Sequence, residues 1–277
     1  MILWIASYPK SGNTILRSML SAYFFSEDGS FNFELLKNIR QFPKKIFFKN
    51  LGINLKDQDE VVKNFINAQK IINKDKNIQF WKTHSGFFKF NNKYSFTNHH
   101  NTIGVIYIVR DPRNLTGSIS NHFDISLEEA TNMMCENRFL IEDENDIPVY
   151  IGSWSSNYNS WKALQGKNYF LIKYEDLIAN KENYLIELLK FIKNLTNLNF
   201  EIDYIKIKKV VETTEFNKMK ISESINGFAE SKIGKKGNKI NFFNLGKDNK
   251  YQNYLGKPLI DKIEKNFELE MKELNYL

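Results

Sequence analysis

Ile2-Leu3-Trp4-Ile5-Ala6-Ser7-Tyr8-Pro9-Lys10-Ser11-Gly12-Asn13-Thr14-Ile15-Leu16-Arg17 is the stretch that decides the fold. Ile2–Ala6 is a short apolar run of strand formers. Ser7–Thr14 is a tight turn, and the amphipathic spacing of Ile15–Phe25 predicts a helix at once after it. Strand, turn and helix in that order aim backbone N–H groups and a helix N-terminus at an anion. Gly12 lets the backbone come close to a phosphate. Lys10 adds a mobile point charge, and Ser11 and Thr14 add hydroxyl donors. The nucleotide-triphosphate loop ends in Gly-Lys-Ser/Thr, whose hydroxyl holds magnesium. Here the lysine precedes Ser-Gly and no Gly sits upstream of it, so the loop reads as a phosphate cradle that need not use a metal. An ordinary strand-to-helix turn is the competing reading of the local pattern.

Outward from this stretch, strands and helices alternate. Ile78–Lys82 predicts a second strand, running into Thr83-His84. Gly104–Val109 reads as a strand buried on both faces and ends in Arg110-Asp111-Pro112-Arg113. Tyr169–Lys173 is a further buried strand ending at Tyr174. Helices are predicted over 57–73, 115–123, 126–138 (opened by the Ser126–Glu129 capping box), 150–165, 180–195, 202–213 and 258–274. Residues 26–56 read as short helices and loops, and the glycine- and lysine-rich residues 222–246 as a mobile basic loop. The pattern predicts an α/β fold, a P-loop-like central parallel sheet flanked by helices, in a single domain over 1–277. Ligands of such sheets bind at the C-terminal strand edge. Lys10, Lys82, His84, Arg110 and Tyr174 all come just after strand ends, so three cations and a histidine are expected on one rim.

The chain has 277 residues, 42% of them hydrophobic and 14% aromatic, enough for a sizeable core and against disorder. Its formal charge of +7 favours anionic partners, although lysine is spread throughout the chain. The single cysteine, Cys135, allows no intrachain disulfide and reads as a core filler. No basic-then-apolar leader and no membrane-length apolar run is seen, which predicts a cytoplasmic protein without a membrane span. No carboxylate or Cys/His cluster has metal-ligand spacing. His99 and His100 lie in a polar run and read as solvated; His122 reads as packed or partly exposed.

Taken together, these residues resemble the sulfotransferase family, of the cytosolic or bacterial type, whose donor is 3′-phosphoadenosine 5′-phosphosulfate. Ser7–Thr14 is similar to that family's phosphosulfate loop, which implies donor contacts from Lys10, Ser11, Gly12, Asn13, Thr14 and Ile15. Lys82-Thr83-His84 resembles its Lys-x-His catalytic element. Arg110 and Ser118 match its 3′-phosphate element, and Tyr174 stands where an adenine-side tyrosine does. Thr214, Phe216 and Met219 resemble the family's Thr-x-Phe-x-x-Met segment near the adenine. Lys232-Ile233-Gly234 keeps the glycine spacing of a late Arg-Lys-Gly element but departs from it: Arg becomes Lys, Lys becomes Ile, and the following tryptophan is missing. Lys232 is therefore the 3′-phosphate candidate there, and Ile233 could act only through its backbone. The dimer segment found in part of the family is not recognisable near residues 242–250.

The resemblance implies sulfuryl transfer to a hydroxyl or amine, with adenosine 3′,5′-bisphosphate as product and no metal. Lys10 would attend the 5′-phosphate and bridging oxygen, where charge develops as the bond breaks. Lys82 would hold the sulfuryl oxygens, and His84 would be the general base. The acceptor side would be built by residues 26–56, 85–100, 142–161 and 222–246, for a small-molecule, sugar or lipid-linked acceptor. Trp154, Tyr158 and Trp161 read as core. Two other classes compete: a P-loop nucleotide kinase, which needs magnesium and an acidic partner, and a basic nucleic-acid-binding module, which needs exposed aromatics. Most aromatics here fall on apolar faces, so no nucleic-acid partner is expected.

Overall fold

The computed structural model describes residues 1–75, 77–142, 146–164, 166, 168–246 and 249–277. Five parallel strands form the central sheet: β1 (Ile2–Ser7), β2 (Arg40–Gln41), β3 (Gln79–Thr83), β6 (Thr102–Val109) and β9 (Tyr169–Lys173). Three two-stranded ribbons supply the remaining labels: β4 (Lys89–Phe90) with β5 (Tyr94–Ser95), β7 (Leu140–Ile141) with β8 (Val149–Tyr150), and β10 (Lys232–Ile233) with β11 (Lys239–Ile240). The sheet runs β2-β3-β1-β6-β9, so the first strand lies at its centre. Ile5 pairs with Lys82 on one side and Ile106 on the other.

Every residue of β1 is buried, and its period of two divides the core. Ile2, Trp4 and Ala6 join Val105, Tyr107 and Val109 on one face, covered by helices Pro112–Phe123, Leu127–Cys135 and Trp154–Lys162. Leu3 and Ile5 join Ile106 and Ile108 on the other, covered by helices Asn13–Phe25, Lys181–Thr196 and Tyr204–Thr213. This is the parallel sheet flanked by helices that the alternating pattern predicts. Trp4, Trp81, Trp154 and Trp161 are all buried, so they present no exposed face for stacking bases.

Several elements differ from the sequence reading. The helix expected over 57–73 is two helices, Gln58–Lys63 and Phe65–Ile72. Asn64 separates them: its N–H bonds back to Val61 O and its side chain to Glu60 O, closing one helix before the next begins. The helix expected from Tyr150 starts at Trp154, because Tyr150 pairs with Leu140 and Ser153 caps the first turn by accepting from Ser156 N. The helix after the capping box ends at Cys135, and the last helix breaks at Phe267. β2 lies inside the stretch read as helices and loops, where two residues are too short to show a period.

Residues 222–246 are not a loop throughout. Helix Phe216–Asn226 enters them, and β10 and β11 form a hairpin. Glu223, 1% exposed, ties this segment down by accepting from Phe242 N at 2.6 Å and Phe243 N at 2.9 Å, and from the Ser231 hydroxyl. A buried carboxylate with three donors is a fixed point, and composition alone gives no sign of it. Residues 143–145 of the predicted polar break, Gln165 near the end of a predicted helix, and 247–248 of the compared dimer segment lie outside the described residues. Among the described residues no helix is long and apolar enough to cross a membrane.

Candidate active site

The site stands on the C-terminal ends of four neighbouring strands. β1 ends at Ser7 and delivers the turn to Gly12; β3 delivers Lys82 and Thr83, with His84 next; β6 delivers Arg110; β9 delivers Tyr174. Two left-handed residues shape the turn, Lys10 at φ 67° and Gly12 at φ 105°. A Cβ on Gly12 would meet Tyr174 Cδ2 at 2.4 Å, so glycine is required both by conformation and by the neighbouring ring. Asn13 begins the helix and reaches back, its amide donating to Ile5 O at 3.0 Å and Ser7 Oγ at 3.2 Å. Strand, turn and helix are thus locked into one unit.

One cavity of about 790 Å³ opens over this rim. Lys10, Gly12, Asn13, Thr14 and Ile15 line it from the turn, with Lys82 and His84 from β3 and Arg110 and Ser118 from the β6 side. Tyr174, Thr214, Phe216, Met219 and Lys232 complete the set of predicted residues brought to its wall. Ser11 lies beneath the turn, fully buried. Ile233 and Gly234 do not line the cavity: Ile233 is 79% exposed, and Gly234 N donates to Asn238 O within the hairpin turn. Residues 85–100 contribute nothing to the wall, since they form the β4–β5 ribbon and send Phe96 into the core. Gln41, Pro43 and Lys44 come from residues 26–56, and Asp146, Ile147 and Val149 from 142–161.

Arg110 spans two walls. Its Nη1 donates to Ser118 Oγ at 3.0 Å and Lys10 O at 3.3 Å, and its guanidinium lies 4.3 Å from the Tyr174 ring centre. Asn249 also donates to Ser118 Oγ, at 2.8 Å. Lys10 Nζ stands 3.3 Å over the Phe242 ring, and Lys232 Nζ 4.3 Å over Phe123. Ser11 Oγ, Arg17 Nε and Arg110 Nε are buried donors with no hydrogen-bond partner among the described residues. Buried donors are almost always paired. Three in and under one strand-end rim are what a site for an anion's oxygens would carry.

His84 is oriented by its neighbours. Nδ1 lies 2.9 Å from Ser7 O, and a carbonyl can only accept, so the proton is on Nδ1 and Nε2 carries the basic lone pair. Asn157 Nδ2 donates to His84 O at 3.0 Å, and Tyr107 OH fixes Asn157 by donating to Oδ1 at 2.9 Å. Burial, then the charge of Lys82, lower the imidazole to about 3. His122 also lines the cavity, half-buried, and burial together with Lys10 lowers it to about 2. Burial lowers Lys10 to about 7 and Lys82 to about 8, against the opposing pull of Glu230 on both. These are the marks of cations gathered in a partly dry cleft.

Arg17, Glu230 and Asn157 are tied to these residues by hydrogen bonds and carry no motif. Arg17 had a signal, three residues after Thr14 on the same helix face. Glu230 and Asn157 had none, because tertiary contacts alone bring them here.

The profile of the sulfotransferase domain matches residues 2–275. The chain belongs to the sulfotransferase-domain family. No curated protein matches it by sequence. Among solved structures, it is similar to a mouse sulfotransferase complexed with PAP, at 16% identity and a TM-score of 0.57, covering 97% of this chain and 83% of that one. It is similar also to a retinol dehydratase in complex with androsterone and inactive cofactor PAP, at 16% identity and a TM-score of 0.61, covering 98% and 80%. The same dehydratase with retinol and PAP gives a TM-score of 0.61 at 16% identity, covering 98% and 81%. At this identity the likeness is one of fold, and it extends over nearly the whole of this chain.

Proposed function

We propose that the protein transfers a sulfuryl group from 3′-phosphoadenosine 5′-phosphosulfate to a hydroxyl or amine of a small acceptor. The observation that carries this reading is the gathering of Lys10, Lys82, Arg110 and His84 around one cavity in a sulfotransferase-domain chain. Lys10, the turn amides and Thr14 would hold the 5′-phosphate; Arg110, Ser118 and Lys232 the 3′-phosphate; Tyr174, Thr214, Phe216 and Met219 the adenine side. Lys82 would attend the sulfuryl oxygens. Ser11 Oγ and Arg110 Nε, donors without a partner among the described residues, fit a doubly phosphorylated nucleotide. The donor's charge is answered here by side-chain cations, so a chelator is expected to leave turnover unchanged. Gln41, Pro43, Ile147 and Val149 would form the acceptor wall beside His84, with the Lys44–Asp146 ion pair at its edge. Apolar surface with one ion pair suits an acceptor with an apolar body and a polar handle.

The direct test is thermal stability with nucleotides. Adenosine 3′,5′-bisphosphate at a hundredfold excess over its Kd is expected to raise Tm by on the order of 5 °C. AMP and ATP should do much less. Equal stabilisation by all three would remove the 3′-phosphate pocket, and with it the proposed donor.

The lysines add a pH test. A lysine lowered to about 7 or 8 is charged below that pH and neutral above it, so the cleft loses positive charge as pH rises through this range. Binding of the bisphosphate should weaken from pH 6.5 to pH 9, and at pH 8 it should take up protons. Calorimetry in buffers of different ionisation enthalpy measures that uptake directly. None at pH 8 would mean that neither lysine meets the nucleotide.

A further inference from the structure

Glu230 lies between helix Phe216–Asn226 and β10, and its carboxylate rests at the foot of the phosphate turn. Oε2 accepts from Thr14 Oγ1 at 2.8 Å, and Oε1 accepts from Lys82 Nζ at 3.1 Å. Arg17 Nη2 also donates to Oε1. The three donors are themselves buried, at 5%, 7% and 4% exposure. Burial works against the carboxylate's charge, but Arg17 and Lys82 hold its pKa well below the usual range, so it is an anion at any working pH. Two oxygens of one anion thus sit on a hydroxyl, an ammonium and a guanidinium. Two oxygens of a phosphoryl or sulfuryl group would take the same positions. Thr14 and Lys82 are residues that the functional reading gives to the phosphosulfate, and two anions cannot share them.

We propose that Glu230 is a resident competitor for the donor. It fills the subsite made by Thr14, Arg17 and Lys82 in the free protein, yields it to the phosphosulfate, and reclaims it as the product leaves. This rests on the sulfotransferase reading of the cavity and adds Arg17 to the residues that grip the donor. The surrounding segment is built for such an exchange. Glu223 clamps Ser231 on one side of Glu230, and Gly227, at φ 73° with open space around it, lies on the other. Rotation of one side chain between these points frees the subsite while the hairpin stays anchored. The device also sets a threshold: a nucleotide must bring enough charge to replace a carboxylate already in place.

Glu230→Gln keeps the shape and removes the charge. Calorimetry of the full chain with adenosine 3′,5′-bisphosphate should show a Kd at least about tenfold lower than that of the wild type. In steady state the donor's KM should fall by a similar factor. A folded Glu230→Gln protein that binds the nucleotide equally or more weakly would overturn the proposal and make Glu230 a structural tie. Glu230→Asp, whose shorter reach loosens the same contacts, gives a second reading of the same sign if the glutamine variant does not fold. Arg17→Gln added to Glu230→Gln should weaken binding about tenfold relative to Glu230→Gln alone; no change would leave Arg17 merely the partner of Glu230 and refute its part. Should neither wild type nor Glu230→Gln bind any 3′-phosphoadenosine nucleotide, the functional reading itself falls and takes this one with it.

Discussion

His84→Ala is expected to cut kcat by roughly 10²–10⁴-fold, the usual worth of a positioned general base. The geometry gives the reason. Nδ1 donates its proton in a hydrogen bond to Ser7 O, so Nε2 is held as the basic nitrogen, and Asn157 and Tyr107 fix the backbone that carries the ring. In the free protein the imidazole is neutral down to about pH 3, because burial and Lys82 oppose its charge. Glu230, on Lys82, works the other way and already raises the basicity of the ring. Two readouts test this. The variant should bind adenosine 3′,5′-bisphosphate as the wild type does, since its loss is in proton transfer. The wild-type kcat/KM should show no acid limb near pH 6.5, where an unperturbed histidine would give one. Undiminished turnover of His84→Ala with a good acceptor removes the residue from the reaction.

Lys10→Ala should lower kcat by about 10²–10³-fold, the range found when a donor to a developing anion is deleted. Lys10 is held at the turn in a left-handed conformation, over the Phe242 ring and near Lys82 and Arg110. A non-glycine residue in that conformation costs energy, and such strain clusters at functional sites. The same surroundings make the control informative. Burial disfavours the charge of Lys10 by more than Glu230 favours it, so Tm should hold or rise while turnover falls. A variant that loses stability and activity together would point to a structural lysine. A small rise in donor KM with kcat intact would place Lys10 in ground-state binding alone.

The residues that the sequence made legible are those whose position is set by chain order. A strand of apolar residues ends somewhere, and the residues just after its end land on the sheet's C-terminal edge. Lys10, Lys82, His84 and Arg110 could all be placed that way. Ser118 was placed only by the resemblance to the family's 3′-phosphate element. Glu230 could not be placed, because it sits in a basic, glycine-rich stretch and enters the cleft through the hairpin's fold. Asn157 is one asparagine in a helix whose aromatic residues dominate the pattern, and only its bonds to His84 O and Tyr107 OH reveal its use. The reading of 222–246 as mobile had the same cause. Composition reports glycine and lysine, whereas the anchor is one buried glutamate upstream of the hairpin.

The strand order carries a cost during synthesis. β1 lies between β3 and β6, so both edges of its largely apolar ribbon stay uncovered until the ribosome has released the chain beyond Gln79 and then beyond Thr102. Such distant parallel pairing is slow to form and leaves a sticky segment in the nascent chain. The element that carries the phosphate turn is therefore also the one most in need of chaperone shelter before the polypeptide is finished.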